Sequence, residues 1–230
     1  MQEFETQVLP LIQPQVVEPT KVESNYHTLY IEEVEGSQQE LETNIEFEID
    51  CPIRTANNIK TYIEIPEHKK YTLCIHEFGG ERKDMHDLLH ALRGGQENDL
   101  LEIRINSDGG SIIELQSIQN VISQYFKGRV TTILDNVGFS CGAMLFLMGD
   151  VKVAFEHSEM MLHQATYGVL GAMESVKQHV EFRQKSLENY FKSIVSGYFS
   201  DDEINEILSG KDLWLNVDDM VGYGILDTNV

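Results

Sequence analysis

From Ile45 onward the chain switches between two hydrophobic rhythms. In IEFEID (45–50) and KTYIEI (60–65) apolar and polar residues alternate one by one, the period of a half-buried strand. YTLCIHEF (71–78) reads as a strand, RKDMHDLLHALR (82–93) as an amphipathic helix and DLLEIRI (99–105) as a strand again. After SDGG (107–110) come the helical pattern SIIELQSIQNVISQYFKG (111–128), the strand RVTTILD (129–135) and the apolar helix-like run GAMLFLM (142–148). GDVKVAFEH (149–157) is a turn and a strand, and MMLH (160–163) a short strand. Strands alternating with helices of these lengths predict βαβ units and a mostly parallel sheet.

The rhythm then lengthens. From Ala172 to Phe199 one helical pattern runs unbroken, with Met173, Val176, Val180, Leu187, Tyr190, Phe191, Ile194 and Tyr198 as its apolar positions. Glu174, Lys177, Glu181 and Lys185 mark a wet face. Such a helix either covers the sheet or projects from it. SDDEINEIL (200–208) opens with a Ser cap and acids in the first turn, so a further helix is predicted. VDDMVGYGILD (217–227) reads as a short helix, a Gly stop and a last strand.

Residues 1–44 differ. Three of the five prolines fall there (Pro10, Pro14, Pro19), and Lys21 is the only basic residue among many glutamates. We expect an acidic N-terminal arm, partly extended or disordered alone, with NYHTLYIEEV (25–34) able to form a strand. Residues 45–230 then form one domain. A hydrophobic fraction of 41% suffices for its core. The net charge of −21 argues against nucleic acid or anionic membrane as a partner, since both need clustered Lys and Arg. Three cysteines, Cys51, Cys74 and Cys141, suggest neither a disulfide framework nor a metal cluster and fit a reducing compartment. The first residues lack a signal peptide's basic and apolar regions, and no apolar run approaches the ~18 residues of a membrane span. The expected location is cytoplasmic.

Candidate chemistry starts at Gly138-Phe139-Ser140-Cys141-Gly142, a G-x-S-x-G pattern. Ser140 between a strand and an apolar helix is either a nucleophile or an ordinary N-cap. An α/β-hydrolase requires the order Ser, acid, His with a late His, but here His157, His163 and His179 follow and none lies near the C-terminus. The order argues against that fold. His163 ends a strand beside a glycine-containing segment, a place suited to a cleft. Asp108-Gly109-Gly110 ends another strand, where glycine lets backbone N–H groups turn towards a ligand. Asp212 precedes the apolar Leu213-Trp214-Leu215. His86-Asp-Leu-Leu-His90 imitates a zinc motif without its Glu or a third ligand and reads as an exposed helical face.

Taken in order, INSDGG (105–110), SCGAMLFLMG (140–149), MMLHQ (160–164) and DLWLNVDDMVGYGILD (212–227) resemble the Clp protease proteolytic subunit family, over about Tyr71 to Asp227. The resemblance implies an α/β fold, the ClpP/crotonase-like spiral of ββα units with a protruding handle helix, the handle covering about 164–198. It implies a serine endopeptidase with Ser140 as nucleophile, His163 as general base and Asp212 as the acid orienting it. The backbone N–H groups of Gly110 and Cys141 correspond to the oxyanion hole, and Gly109, Gln164, Ala165 and Thr166 to substrate-binding positions, with QATYGVLGA (164–172) as a handle strand. No metal or other cofactor is implied, and ATP only through a partner.

Implied partners are polypeptide substrates and further copies of the chain, in a heptameric ring or a stacked 14-mer of a bacterial or phage-infected cell. An AAA+ unfoldase or a capsid protein is a further candidate partner. Three departures stand out: Asp108 and Ala165 where the family commonly has proline, and the long acidic N-terminal region, with 45–66 unmatched. The last puts docking to an unfoldase in question. Three other readings keep the fold: a viral head-maturation protease, a non-catalytic ring-forming scaffold, and a crotonase-type acyl-CoA enzyme, which needs no Ser-His-Asp set.

Overall fold

The computed structural model describes residues 20–23, 27–43, 59–65, 67–79 and 82–226. Its centre is three parallel strands, β5 (His68–Ile75), β6 (Leu100–Ser107) and β7 (Val130–Phe139). Each alternates as the sequence predicts. Tyr71, Leu73 and Ile75 of β5 are buried, as are Leu101, Ile103 and Ile105 of β6 and Val130, Thr132 and Leu134 of β7. The helices α1 (Arg82–Leu92) and α2 (Ile112–Tyr125) connect these strands in βαβ fashion, and α2 packs against α1. Leu88, Leu92, Leu115, Ile118 and Phe126 join the same core cluster. Burying one such side chain contributes about 1.5–3 kcal/mol.

The arm's range contributes to this sheet. β1 (Thr20–Glu23) pairs antiparallel with β2 (His27–Val34), which pairs antiparallel with β5 and carries the fully buried Leu29. β2 is the strand expected in NYHTLYIEEV. A separate hairpin joins β3 (Ser37–Thr43) to β4 (Ile59–Ile65), so KTYIEI is a strand as predicted. The strand expected over 45–50 lies outside the described residues.

β7 is longer than its sequence signal. Its first half pairs with β8 (Val151–Ala154), its second with β9 (Glu159–Leu162), and β10 (Leu213–Leu215) closes the edge antiparallel to β9. Between those halves the β6–β7 register shifts from Ile105↔Leu134 to Ser107↔Gly138, leaving extra residues on β7. Such a bulge bends the strand and re-aims its C-terminal end. Arg104 ties into the bulge, donating to Asp135 Oδ2 at 3.1 Å and Oδ1 at 2.5 Å.

After the sheet come α3 (Cys141–Leu147), α4 (Met173–Val195), α5 (Asp201–Leu208) and α6 (Val217–Gly222). α4 resolves the question of covering or projecting. Leu187, Phe191 and Val195 in its C-terminal half are buried, while Met173 and Phe182 in its N-terminal half are 89% and 72% exposed. Its 23 residues span roughly 35 Å, and about half of that length stands clear of the core. Two expectations are corrected. Residues 164–172 form no strand, for no neighbouring strand pairs with them among the described residues. No strand begins at Ile225 or Leu226 either: Ile225 N–H donates to Met220 O and Gly224, at φ 68°, donates to Val221 O. This Schellman stop uses the amide a strand would need.

Candidate active site

Because β6, β7 and β9 run parallel and β10 runs against them, the C-terminal ends of the first three meet the start of the fourth at one edge. Ligands of open α/β sheets bind outside those carboxyl ends. Here Asp108-Gly109-Gly110 follows β6, Ser140 follows β7, His163 follows β9 and Asp212 precedes β10.

Ser140 turns the chain from β7 into α3 with φ 55° and ψ −115°, and it is the only non-glycine residue at positive φ among the described residues. Such a conformation costs of order 1–3 kcal/mol and persists only when its surroundings impose it. They do: Ser140 N–H donates to Met161 O at 2.8 Å, and its C=O accepts from Met144 N–H at 3.1 Å. Every residue of α3 is buried, which anchors the turn from below. Ser140 holds the N-cap position, yet its hydroxyl makes no capping bond. The Oγ instead lies 2.8 Å from His163 Nε2. With the imidazole proton on Nδ1, the hydroxyl donates to the Nε2 lone pair.

The glycine loop sits against this turn. Phe78 N–H donates to Gly109 O (2.8 Å) and Ser111 N–H to Phe78 O (2.6 Å), the pattern of a parallel bridge between Phe78 and Gly110. Gly110's own N–H and C=O therefore face the other way. The C=O accepts from Cys141 Sγ at 3.3 Å, and the N–H has no acceptor among the described residues. Cys141 N–H is in the first turn of α3, where a helix supplies no acceptor. Both glycines are required. Gly109 has φ 106° and a Cβ there would come within 2.6 Å of Ser140 Cβ; Gly110 has φ 130° and its Cβ would overlap Phe78 O. The Cys141 thiol is pushed up to about 11, chiefly by burial and against the bonding from Ser140 and Gly110, so it is protonated at neutral pH.

A cavity of about 500 Å³ opens beside Ser140 and His163. Met144, Leu187, Phe191 and Leu208 give it apolar surface, Gln164, Ala165 and Thr166 form a rim, and Asp108 and Gly110 border it. Gln164 to Thr166 are exposed and irregular, and Tyr167 OH donates to Val180 O of α4 at 3.0 Å. Gly109 is buried beneath the loop. Arg183 and Glu188 also line the cavity; periodicity marks Leu187 and Phe191 as a buried stripe but gives no sign that Arg183 shares it.

Asp212 is exposed, and no hydrogen bond joins it to His163 among the described residues. Its place is nonetheless defined by the β9–β10 ladder, where Leu213 pairs with Leu162. The ladder ends at that pair, and the same register continued one step would set Asp212 opposite His163. Phe139 at the end of β7 and Trp214 of β10 pack edge to face, with ring centroids 5.2 Å apart. The His86 and His90 rings lie parallel on an exposed face of α1, 6.3 Å apart, and no cluster of three metal-ligating side chains occurs among the described residues.

The Clp protease family model matches residues 79–230. The chain is 31% identical over 128 residues to the ATP-dependent Clp protease proteolytic subunit 3 of Synechococcus sp. (strain CC9902), and 33% identical over 128 residues to that of Parasynechococcus marenigrum (strain WH8102). Each match covers 54% of this chain and 62% of the relative. The matched range takes in Gly109, Gly110, Ser140, His163 and Asp212. The chain belongs to the Clp protease family.

Proposed function

We propose that the chain is a serine endopeptidase that cleaves polypeptides with Ser140, His163 and Asp212, using side chains and backbone alone. The observation that carries this is the 2.8 Å contact between Ser140 Oγ and His163 Nε2 on the strained turn. Serine at its ordinary pKa is a poor nucleophile, so His163 takes the hydroxyl proton as Oγ attacks the peptide carbonyl. The oxyanion formed is stabilised by the N–H groups of Gly110 and Cys141, each worth about 3 kcal/mol in such a role. His163 then passes its proton to the leaving amine, and water, deprotonated by the same imidazole, releases the acyl group from Ser140. Asp212 holds the imidazole with Nδ1–H inward once its carboxylate crosses the ladder. The unpaired segment 164–166 offers backbone groups with which an extended substrate can pair.

The active particle is an assembly of copies. Leu170, Met173 and Phe182 on the projecting segment are 100%, 89% and 72% exposed, apolar area that association would cover. A heptameric ring, single or stacked as a 14-mer, fed by an unfoldase or acting on a capsid protein, is the form this reading takes.

Hydrolysis of a quenched-fluorescent casein tests the reading. Cleavage by the native chain and none by Ser140→Ala is expected. Cleavage by Ser140→Ala at the native rate, or acyl-CoA turnover that survives it, would refute the assignment.

A further inference from the structure

Arg183, Leu187 and Phe191 recur at every fourth position of α4, and all three line the cavity that holds Ser140 and His163. Leu187 and Phe191 are buried and apolar; Arg183, one turn further towards the projecting half, is half-buried. Its guanidinium has no ion pair or hydrogen bond among the described residues. Lys177, Lys185 and Lys192 of the same helix are likewise without an ion pair among the described residues, but they are exposed and lie outside the cavity lining, whereas Arg183 faces the cavity. Glu188 borders the same cavity, but its Oε1 accepts from Gln184 Nε2 at 2.9 Å. Asp108 borders it from the glycine loop, on a different element beside the oxyanion donors. The cavity thus has Asp108 at the reacting bond, and on its α4 wall the unpaired guanidinium of Arg183 together with the amide-bonded carboxylate of Glu188.

We propose that Arg183 makes this groove selective for substrate segments that carry a carboxylate side chain. The inference rests on the peptidase reading above and adds a substrate class to it. A guanidinium offers a carboxylate two parallel hydrogen bonds, and partial removal from water strengthens them. A lysine in the same place meets like charge and loses hydration, so selectivity arises from both attraction and repulsion.

The test uses the full chain and quenched-fluorescent peptides that differ only by Glu, Gln or Lys at each successive position before the cut. The same peptides are titrated onto Ser140→Ala by fluorescence anisotropy. At one position Glu should exceed Lys about tenfold in kcat/KM, mostly through KM, and added salt should shrink the gap. Arg183→Gln should bring the ratio near one, and Arg183→Glu should invert it. Ser140-dependent cleavage with one unchanged Glu-to-Lys ratio in all three proteins overturns the proposal and leaves the peptidase reading intact. Binding that keeps the Arg183-dependent ranking without any Ser140-dependent cleavage does the reverse. Neither cleavage nor binding of any peptide overturns both.

Discussion

Leu213 faces Leu162 at the end of the β9–β10 ladder, and that register continued one residue would set Asp212 opposite His163. Directly opposed residues of an antiparallel pair hold their Cβ atoms about 4.5–5.5 Å apart on the same face. A carboxylate so placed reaches an imidazole by side-chain rotation. Asp212→Asn should therefore lower kcat by about 10²–10⁴ while leaving KM within a few fold. Stopped-time assays over a range of peptide concentrations check this. An unchanged kcat would remove Asp212 from the mechanism.

Gly110 sits where its Cβ would overlap Phe78 O, at a φ that side chains avoid. Gly110→Ala should displace the loop, cost about 2–3 kcal/mol of stability and remove one oxyanion donor. Urea unfolding read alongside peptidase activity should show a lower midpoint and a fall of about 10²-fold or more in kcat.

The Cys141 thiol, raised from 9.0 to about 11, gives stability a pH dependence with a defined sign. Below pH 9 it is protonated both folded and unfolded. Above pH 9 the unfolded chain loses this proton first, so stability falls until the folded thiol also ionises near pH 11. Thermal melts should decline across that window, and less steeply in Cys141→Ala. Iodoacetamide should alkylate the native thiol slowly throughout the neutral range.

Ser200 caps α5 in a reciprocal box, accepting from Glu203 N–H at 3.4 Å while its own N–H donates to Glu203 Oε2 at 2.9 Å. Ser200→Ala should destabilise the chain by about 1 kcal/mol and leave the site intact. Denaturant melts with unchanged peptidase activity are the expected pair of results.

Legibility in the sequence follows the range of the forces involved. Alternation in YTLCIHEF and DLLEIRI marks β5 and β6 because one face of each is buried, and the Ser-Asp-Asp-Glu start marks α5 because capping is local. The Clp-like segments mark Ser140 and His163 in order, and the structure brings them to 2.8 Å. The three residues of β10 are too few to show a period, and their strand exists only through β9. β7 cannot be read beyond Asp135, since its extension to Phe139 depends on a bulge against β6 and a new partner in β9. Ile225 carries a strand-like side chain, but its amide closes α6. Arg183 can be found only in space, where α4 meets the cavity.

The central claim is that His163 activates Ser140. It is tested most directly by treating the native chain with a fluorophosphonate and locating the adduct by peptide mass mapping. The account predicts a single adduct on Ser140, formed at least 10²-fold more slowly in His163→Gln. An adduct on another residue, or Ser140 labelling at an undiminished rate in His163→Gln, would contradict it.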